Sequence, residues 1–161
     1  MVMEKTDDIE DVVAALGYLC LGTRLRRVAE RLQAATQEIL ADSGVQVGYL
    51  PFLAAIDRLG ALTVGDMARA MGVSQPAATK ALGQLSKLGF VRLAAAPEDG
   101  RRKLAELTPK GRALVDRSKA SGWPQVEAAV ADLCDGLEGS VLAQLSEIER
   151  RLAERPLKER S

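Results

Sequence analysis

Histidine is absent from all 161 residues. The commonest general base and metal-ligating side chain is therefore missing. Neither a glycine-rich phosphate loop nor a paired-carboxylate signature replaces it. An enzyme is not expected, and no cofactor is called for. Cysteine is scarce: Cys20 and Cys134 are too few for a disulfide framework and lack metal-ligand spacing. Aromatic residues make up 3% of the chain. No apolar run is long enough to span a bilayer, so no membrane partner is expected. The first residues, "MVMEKTDDIEDVV", are acidic and lack the basic-then-apolar order of a signal peptide, which predicts a cytoplasmic protein.

Net charge is also lacking, but only in the sum. Residues 1–62 hold 6 Lys+Arg against 9 Asp+Glu (−3), residues 63–112 hold 9 against 4 (+5), and residues 113–161 hold 7 against 9 (−2). A basic middle between acidic ends suits a polyanion-binding lobe carried on other elements.

The ends read as long helices. Residues 7–42 predict one helix, or two joined near Gly17 and Gly22, with Leu21, Leu25, Val28, Leu32, Ala35 and Ile39 at alternating steps of four and three. A helix over residues 49–59 follows, with Pro51 in its first turn, Gly60 past its end, and Leu50, Phe52, Leu53 and Ile56 as its buried face. At the other end a helix opens at Thr108-Pro109 and runs into the 130s, with a bend at "SGWP" (121–124). A last helix over 138–154 carries Val141, Leu145, Ile148 and Leu152 at heptad-like spacing, and the tail "RPLKERS" is expected to fray.

The middle is the best punctuated. Thr63 is the N-cap of a short helix, with Asp66 completing a variant capping box, Leu62 and Met67 forming a staple, and Met67, Ala68 and Met71 facing inward. Gly72 stops that helix; Ser74 caps the next, Pro76 sits in its first turn, and Gly89 ends it. Two short helices across a tight glycine turn make a helix-turn-helix. "FVRL" (90–93) and "RKLAEL" (102–107) then read as a hairpin around "AAAPEDGR". The second helix is two-faced. Ala78, Ala81, Leu82, Leu85 and Leu88 form a core stripe, whereas Pro76, Thr79, Lys80, Gly83 and Lys87 are small or basic and include no carboxylate.

The stretch "LTVGDMARAMGVSQPAATKALGQLSKLGFVRLAAAPEDGRRKLAELTPKG" (62–111) resembles the winged helix-turn-helix of the MarR family of bacterial transcription regulators. Its marks are the helix-turn-helix rhythm, Leu88-Gly89-Phe90-Val91, Asp99-x-Arg101 in the hairpin, and Leu107-Thr108-Pro109-Lys110-Gly111 after it. "LGTRLRRVAERLQ" is also similar to the regulator half of fusions with acetyltransferases; no enzyme half is expected here. The resemblance implies a mainly α fold with a small β-hairpin wing. A DNA-binding lobe over 49–111 would be flanked by dimerisation helices over 7–48 and 112–155, all within one domain (1–161).

The function so implied is a sequence-specific regulator, a repressor released by a small-molecule effector. Its partners would be a second copy of the chain and a pseudo-palindromic duplex. A helix entering the major groove must be smooth and carboxylate-free, as the second helix's outer face is. The implied DNA contacts are Ser74, Gln75, Pro76, Ala77, Thr79, Lys80 and Lys87 on that helix and Asp99, Arg101 and Arg102 on the wing. Gln75 suits adenine, the Thr79 methyl suits thymine, and Lys80 suits guanine or phosphate. By resemblance, Asp99 braces the wing and Arg101 enters the minor groove. Small anionic or aromatic effectors would bind near Arg24, Arg26 or Arg27.

Other readings are a thiol-based regulator and a helical module that binds only proteins. Cys20, with Arg24 one turn away, stands near the place of the reactive cysteine in peroxide-sensing members. The tyrosines those members use are replaced by Arg24 and Ala34, which favours packing as the role of Cys20.

Overall fold

A computed structural model describes residues 12–96 and 102–160. Its compact parts divide between Gly122 and Trp123.

In the first part, residues 12–15 are helical and Gly17, at φ +54°, breaks the run. A 3-10 turn (Gly17–Cys20) leads into α1 (Leu21–Ile39). The interruption thus falls at Gly17 alone, and Gly22 lies inside α1. A loop leads to α2 (Leu50–Leu59), whose Leu50, Phe52, Leu53 and Ile56 are all buried, as their spacing requires. After β1 (Leu62–Thr63) come α3 (Val64–Met71) and α4 (Gln75–Lys87). Thr63 Oγ1 accepts the Asp66 N–H at 3.1 Å and donates to the Asp66 carboxylate at 2.6 Å, which closes the capping box. Ser74 Oγ accepts the Ala77 N–H at 3.3 Å. Both helices end on a left-handed glycine: Gly72 (φ +63°) lets Val73 N–H reach the Ala68 carbonyl, and Gly89 (φ +78°) lets Phe90 N–H reach that of Leu85. These six-residue closures satisfy carbonyls that the helix end would otherwise leave bare.

The hairpin is β2 (Val91–Ala95) and β3 (Lys103–Leu107); each strand starts one residue later than the sequence suggests, and the first also ends two residues later. β3 also pairs with β1, giving an antiparallel sheet of order β1-β3-β2. The register opposes Leu93 and Leu62 to Ala105 on its two sides. β1 is not legible in the sequence, because a two-residue strand has no periodicity. Arg92 and Glu106 face each other across β2 and β3 as an ion pair.

The core of this lobe is Leu53, Met67, Ala78, Leu82, Leu85, Val91, Ala105, Leu114 and Val115, each at most 2% exposed. Two inward assignments are corrected. Met71 is only half-buried, and Leu88 is 42% exposed. Leu88 is the C-cap, past the last full turn of α4, where the chain turns away at Gly89 and the helical face no longer meets the core.

α5 (Pro109–Arg117) follows, capped by Thr108, and passes into a π-helical turn (Ser118–Gly122). Two basic residues on this segment, Arg112 at 3.4 Å and Lys119, both pair with Asp57 of α2, whose side chain is largely buried. The π turn lies just before Pro124, which has no N–H to continue an α ladder.

In the second part, α6 (Trp123–Leu133) and α7 (Val141–Glu154) are joined through Gly136 and Gly139, both at positive φ. The last helix begins later than expected, because Ser140 is its cap and Gly139 cannot be its first turn. The tail forms a 3-10 turn (Leu157–Glu159) instead of fraying; Arg160 Nε donates to the Arg155 carbonyl at 2.8 Å.

α1 and α7 contain no buried residue at all. Leu21, Leu25, Val28 and Ile39 on α1, and Leu145, Ile148 and Leu152 on α7, remain 37–51% exposed. Among the described residues, no helix is long and apolar enough to cross a membrane.

Candidate nucleic-acid interface

The site is built on α4. Its inner face, Ala78, Ala81, Leu82 and Leu85, is buried. That fixes the outer face by helical geometry: Ser74, Gln75, Pro76, Ala77, Thr79, Lys80 and Lys87 are all exposed. Gly83 lies between Lys80 and Lys87 on this side, and a Cβ placed there would meet nothing within 4 Å. Internal packing therefore gives no reason for glycine at a mid-helix position, where it is disfavoured by about 1 kcal/mol relative to alanine.

The electrostatics point the same way. The first turn of α4 holds no acidic residue, so the positive end of the helix dipole is left unneutralised. Lys80 and Lys87 make no hydrogen bond or ion pair with the described residues. On α7, by contrast, Arg150 and Arg151 are both tied to Glu147, and Arg150 also to Glu154. There the Arg150 and Arg151 hydrogen bonds hold the Glu147 carboxyl down at about 2. One helix spends its cations internally; α4 leaves them to face outward.

The wing base is anchored to the helix-turn-helix. Arg102 Nη2 lies 3.4 Å from Thr63 Oγ1 and 4.0 Å from the Asp66 carboxylate. The Asp66 carboxyl is held below its usual range, first by the Thr63 hydroxyl and then by Arg69 and Arg102. Arg102 is thus exposed but engaged, which suits bracing better than free reach. Asp99 and Arg101 lie outside the described residues.

In the sequence, "LTPKG" stands out only as a mark of the family resemblance. The structure gives it a mechanical role. Thr108 Oγ1 accepts the Gly111 N–H at 3.0 Å and donates to the Gly89 carbonyl at 2.6 Å. Lys110 Nζ donates to the Leu88 carbonyl at 2.8 Å and sits 4.7 Å from the Phe90 ring centroid. Gly111 allows the close approach: a Cβ there would overlap the Phe90 carbonyl oxygen and lie 3.0 Å from its carbon. The start of α5 therefore clasps the end of α4. The signal was legible in principle as a threonine cap followed by glycine inside a helix, but its target, 20 residues earlier, was not.

Of the effector residues expected on α1, Arg24 borders a shallow groove with Tyr18, Leu21, Leu25 and Val28. Cys20 is half-buried at the N-cap of α1.

A MarR family model matches residues 43–102, the lobe that carries α2 to the wing. No curated protein matches the chain significantly in sequence. Among solved structures, the M. tuberculosis regulator MOSR in complex with DNA is 26% identical, with a TM-score of 0.72 over 86% of this chain and 99% of that one. Bordetella bronchiseptica BpsR, whose DNA binding is regulated by 6-hydroxynicotinic acid, is 24% identical (TM-score 0.67, 84% and 94% covered). A mutant of E. coli MarR complexed with operator DNA is 20% identical (TM-score 0.68, 82% and 92% covered). The helix-turn-helix, the three-stranded wing and the flanking helices share the fold of these winged-helix regulators, and the lobe over residues 43–102 is the part of the chain that matches the MarR family.

Proposed function

We propose that the chain acts as a homodimeric repressor, places the two α4 helices in successive major grooves of a pseudo-palindromic duplex, and is released by a small-molecule effector. The observation that carries this is the outer face of α4: smooth at Gly83, free of carboxylates, and bearing two lysines that have no ion-pair partner among the described residues. Thr79 and Gln75 are the candidate base readers, and Lys80 and Lys87 the candidate phosphate or guanine contacts. Arg101 is assigned to the minor groove and Asp99 and Arg102 to holding the wing.

Dimerisation is supported by the apolar stripes of α1 and α7. Helices with such stripes and no buried residue are unstable in water unless something covers them. Heptad-like spacing suits a second copy of the same helices.

The test is binding to a duplex selected by the protein from a random library. Half-site centres about 10–10.5 base pairs apart, a dimer at micromolar concentration, and affinity falling steeply with salt are expected. A monomer by sedimentation, or salt-independent binding, refutes the proposal. Retention of protein partners without DNA binding would instead establish the protein-binding module.

A further inference from the structure

Gln75 is the first residue of α4 and is exposed, yet its side chain is not open on every side. Its amide lies against the first turn of α3. A Cβ built on Gly65 would stand 3.5 Å from Gln75 Nε2 and 3.9 Å from Thr63 Oγ1. The amide therefore occupies the space directly beside the place a side chain at position 65 would take.

The backbone does not require glycine there. Gly65 is the second residue of an α-helix and is not one of the positive-φ glycines. Glycine in that place costs backbone freedom that alanine would not. What it leaves open is room next to Gln75. A methyl at position 65 would rest against the amide at ordinary contact distance. Valine adds two further methyls, with Thr63 Oγ1 on one side and Gln75 Nε2 on the other, so the amide would have to leave.

The turn that offers this room is held on several sides. Thr63 Oγ1 accepts the Asp66 N–H at 3.1 Å and donates to the Asp66 carboxylate at 2.6 Å. Thr63 also pairs through β1 with Leu104 of β3. Arg102, at the base of the wing, donates from Nη2 to Thr63 Oγ1 at 3.4 Å and lies 4.0 Å from the Asp66 carboxylate. A glutamine at an open helix start samples many rotamers, and ordering it at a base edge costs that freedom. A side chain already confined against a fixed turn loses less, and it approaches the base edge from one direction.

We infer that Gly65 is a positioning residue for base readout: the first turn of α3, fixed by Thr63, Asp66 and Arg102, seats the Gln75 side chain in the conformer that enters the major groove. The inference rests on the reading of Gln75 as a base reader.

The experiment uses the full chain with Gly65→Ala and Gly65→Val. In the DNA-free parent, nuclear Overhauser contacts are expected between the Gln75 side-chain NH2 and the α protons of Gly65. They should pass to the new methyl in Gly65→Ala. Base preference is then measured at the half-site position where Gln75→Ala alters it. The parent should favour the selected base there by about fivefold or more. Gly65→Ala should keep that ratio. Gly65→Val should lower it by about threefold or more, at that position alone, and leave affinity for scrambled duplex within about twofold. In a Gln75→Ala background Gly65→Val should change no preference, an outcome that a general loss of structure would not give. Circular dichroism checks folding; if Gly65→Val unfolds, Gly65→Leu, which branches one carbon later, carries the same comparison. Equal loss on all duplexes, an undiminished effect in the Gln75→Ala background, or absence of the contacts in the folded parent overturns the inference. Contacts present with preference indifferent to Gln75→Ala refute the base-reader reading alone.

Discussion

Gly83→Ala isolates the purpose of the outer face of α4. Glycine costs a helix interior about 0.8–1.0 kcal/mol relative to alanine, because it surrenders more backbone freedom on folding. That gain is ordinarily offset where the new methyl clashes. At Gly83 the added Cβ meets nothing within 4 Å, so nothing inside the chain opposes it. The variant should therefore be more stable by about 1 kcal/mol, raising the unfolding midpoint by about 2–4 °C for a chain of this size. The same methyl stands between Lys80 and Lys87 on the face assigned to the major groove. There it holds the helix backbone away from base edges and should weaken binding to the selected duplex about tenfold, or roughly 1.4 kcal/mol. Binding to scrambled duplex, driven by phosphates, should change little. Thermal unfolding followed by circular dichroism, and fluorescence anisotropy on both duplexes at several salt concentrations, give the two numbers. A variant that is more stable and binds the selected duplex as tightly as its parent refutes the close approach of α4. A destabilised variant refutes the claim that Gly83 has no packing role.

Gly111→Ala should do the opposite, because its Cβ overlaps the Phe90 carbonyl; a loss of about 2–3 kcal/mol in urea unfolding is expected, and an unchanged midpoint would contradict the clasp between α5 and α4. Lys80→Ala should weaken all duplexes alike and lower the salt slope by about one unit, whereas Thr79→Ala should alter preference at one or two positions per half-site; identical behaviour of the two variants would show that base readers and phosphate contacts are misassigned. Glu147, held at about 2 by Arg150 and Arg151, has a folded-state pKa below its ordinary 4.5, so its stabilising contribution is complete above that value and disappears as pH falls from about 4.5 to 2. Glu147→Gln should flatten the acid limb of the stability profile over that window, and an unaltered limb would show that the pairing on α7 carries no stability.

Much of this was legible along the chain, because its causes are local. Caps at Thr63, Ser74 and Thr108, proline in first turns, and glycine at 72 and 89 act within four or five residues, so the helix-turn-helix and its boundaries follow from sequence. The two faces of α4 were legible too, since period 3.6 sorts Ala78, Leu82 and Leu85 from Thr79, Lys80 and Lys87. What the sequence could not supply depends on partners distant along the chain. β1 exists only because β3 pairs with it from 43 residues away, Leu62 facing Ala105. The clasp of Thr108, Lys110 and Gly111 on the end of α4 depends on where α5 returns. Leu88 reads as core by spacing, yet tertiary structure exposes it, because the chain leaves the helix at Gly89 and the core ends at Leu85. The seat of Gln75 beside Gly65 is likewise a tertiary fact: the two stand on different helices, and only the turn at Gly72 folds one helix start against the other.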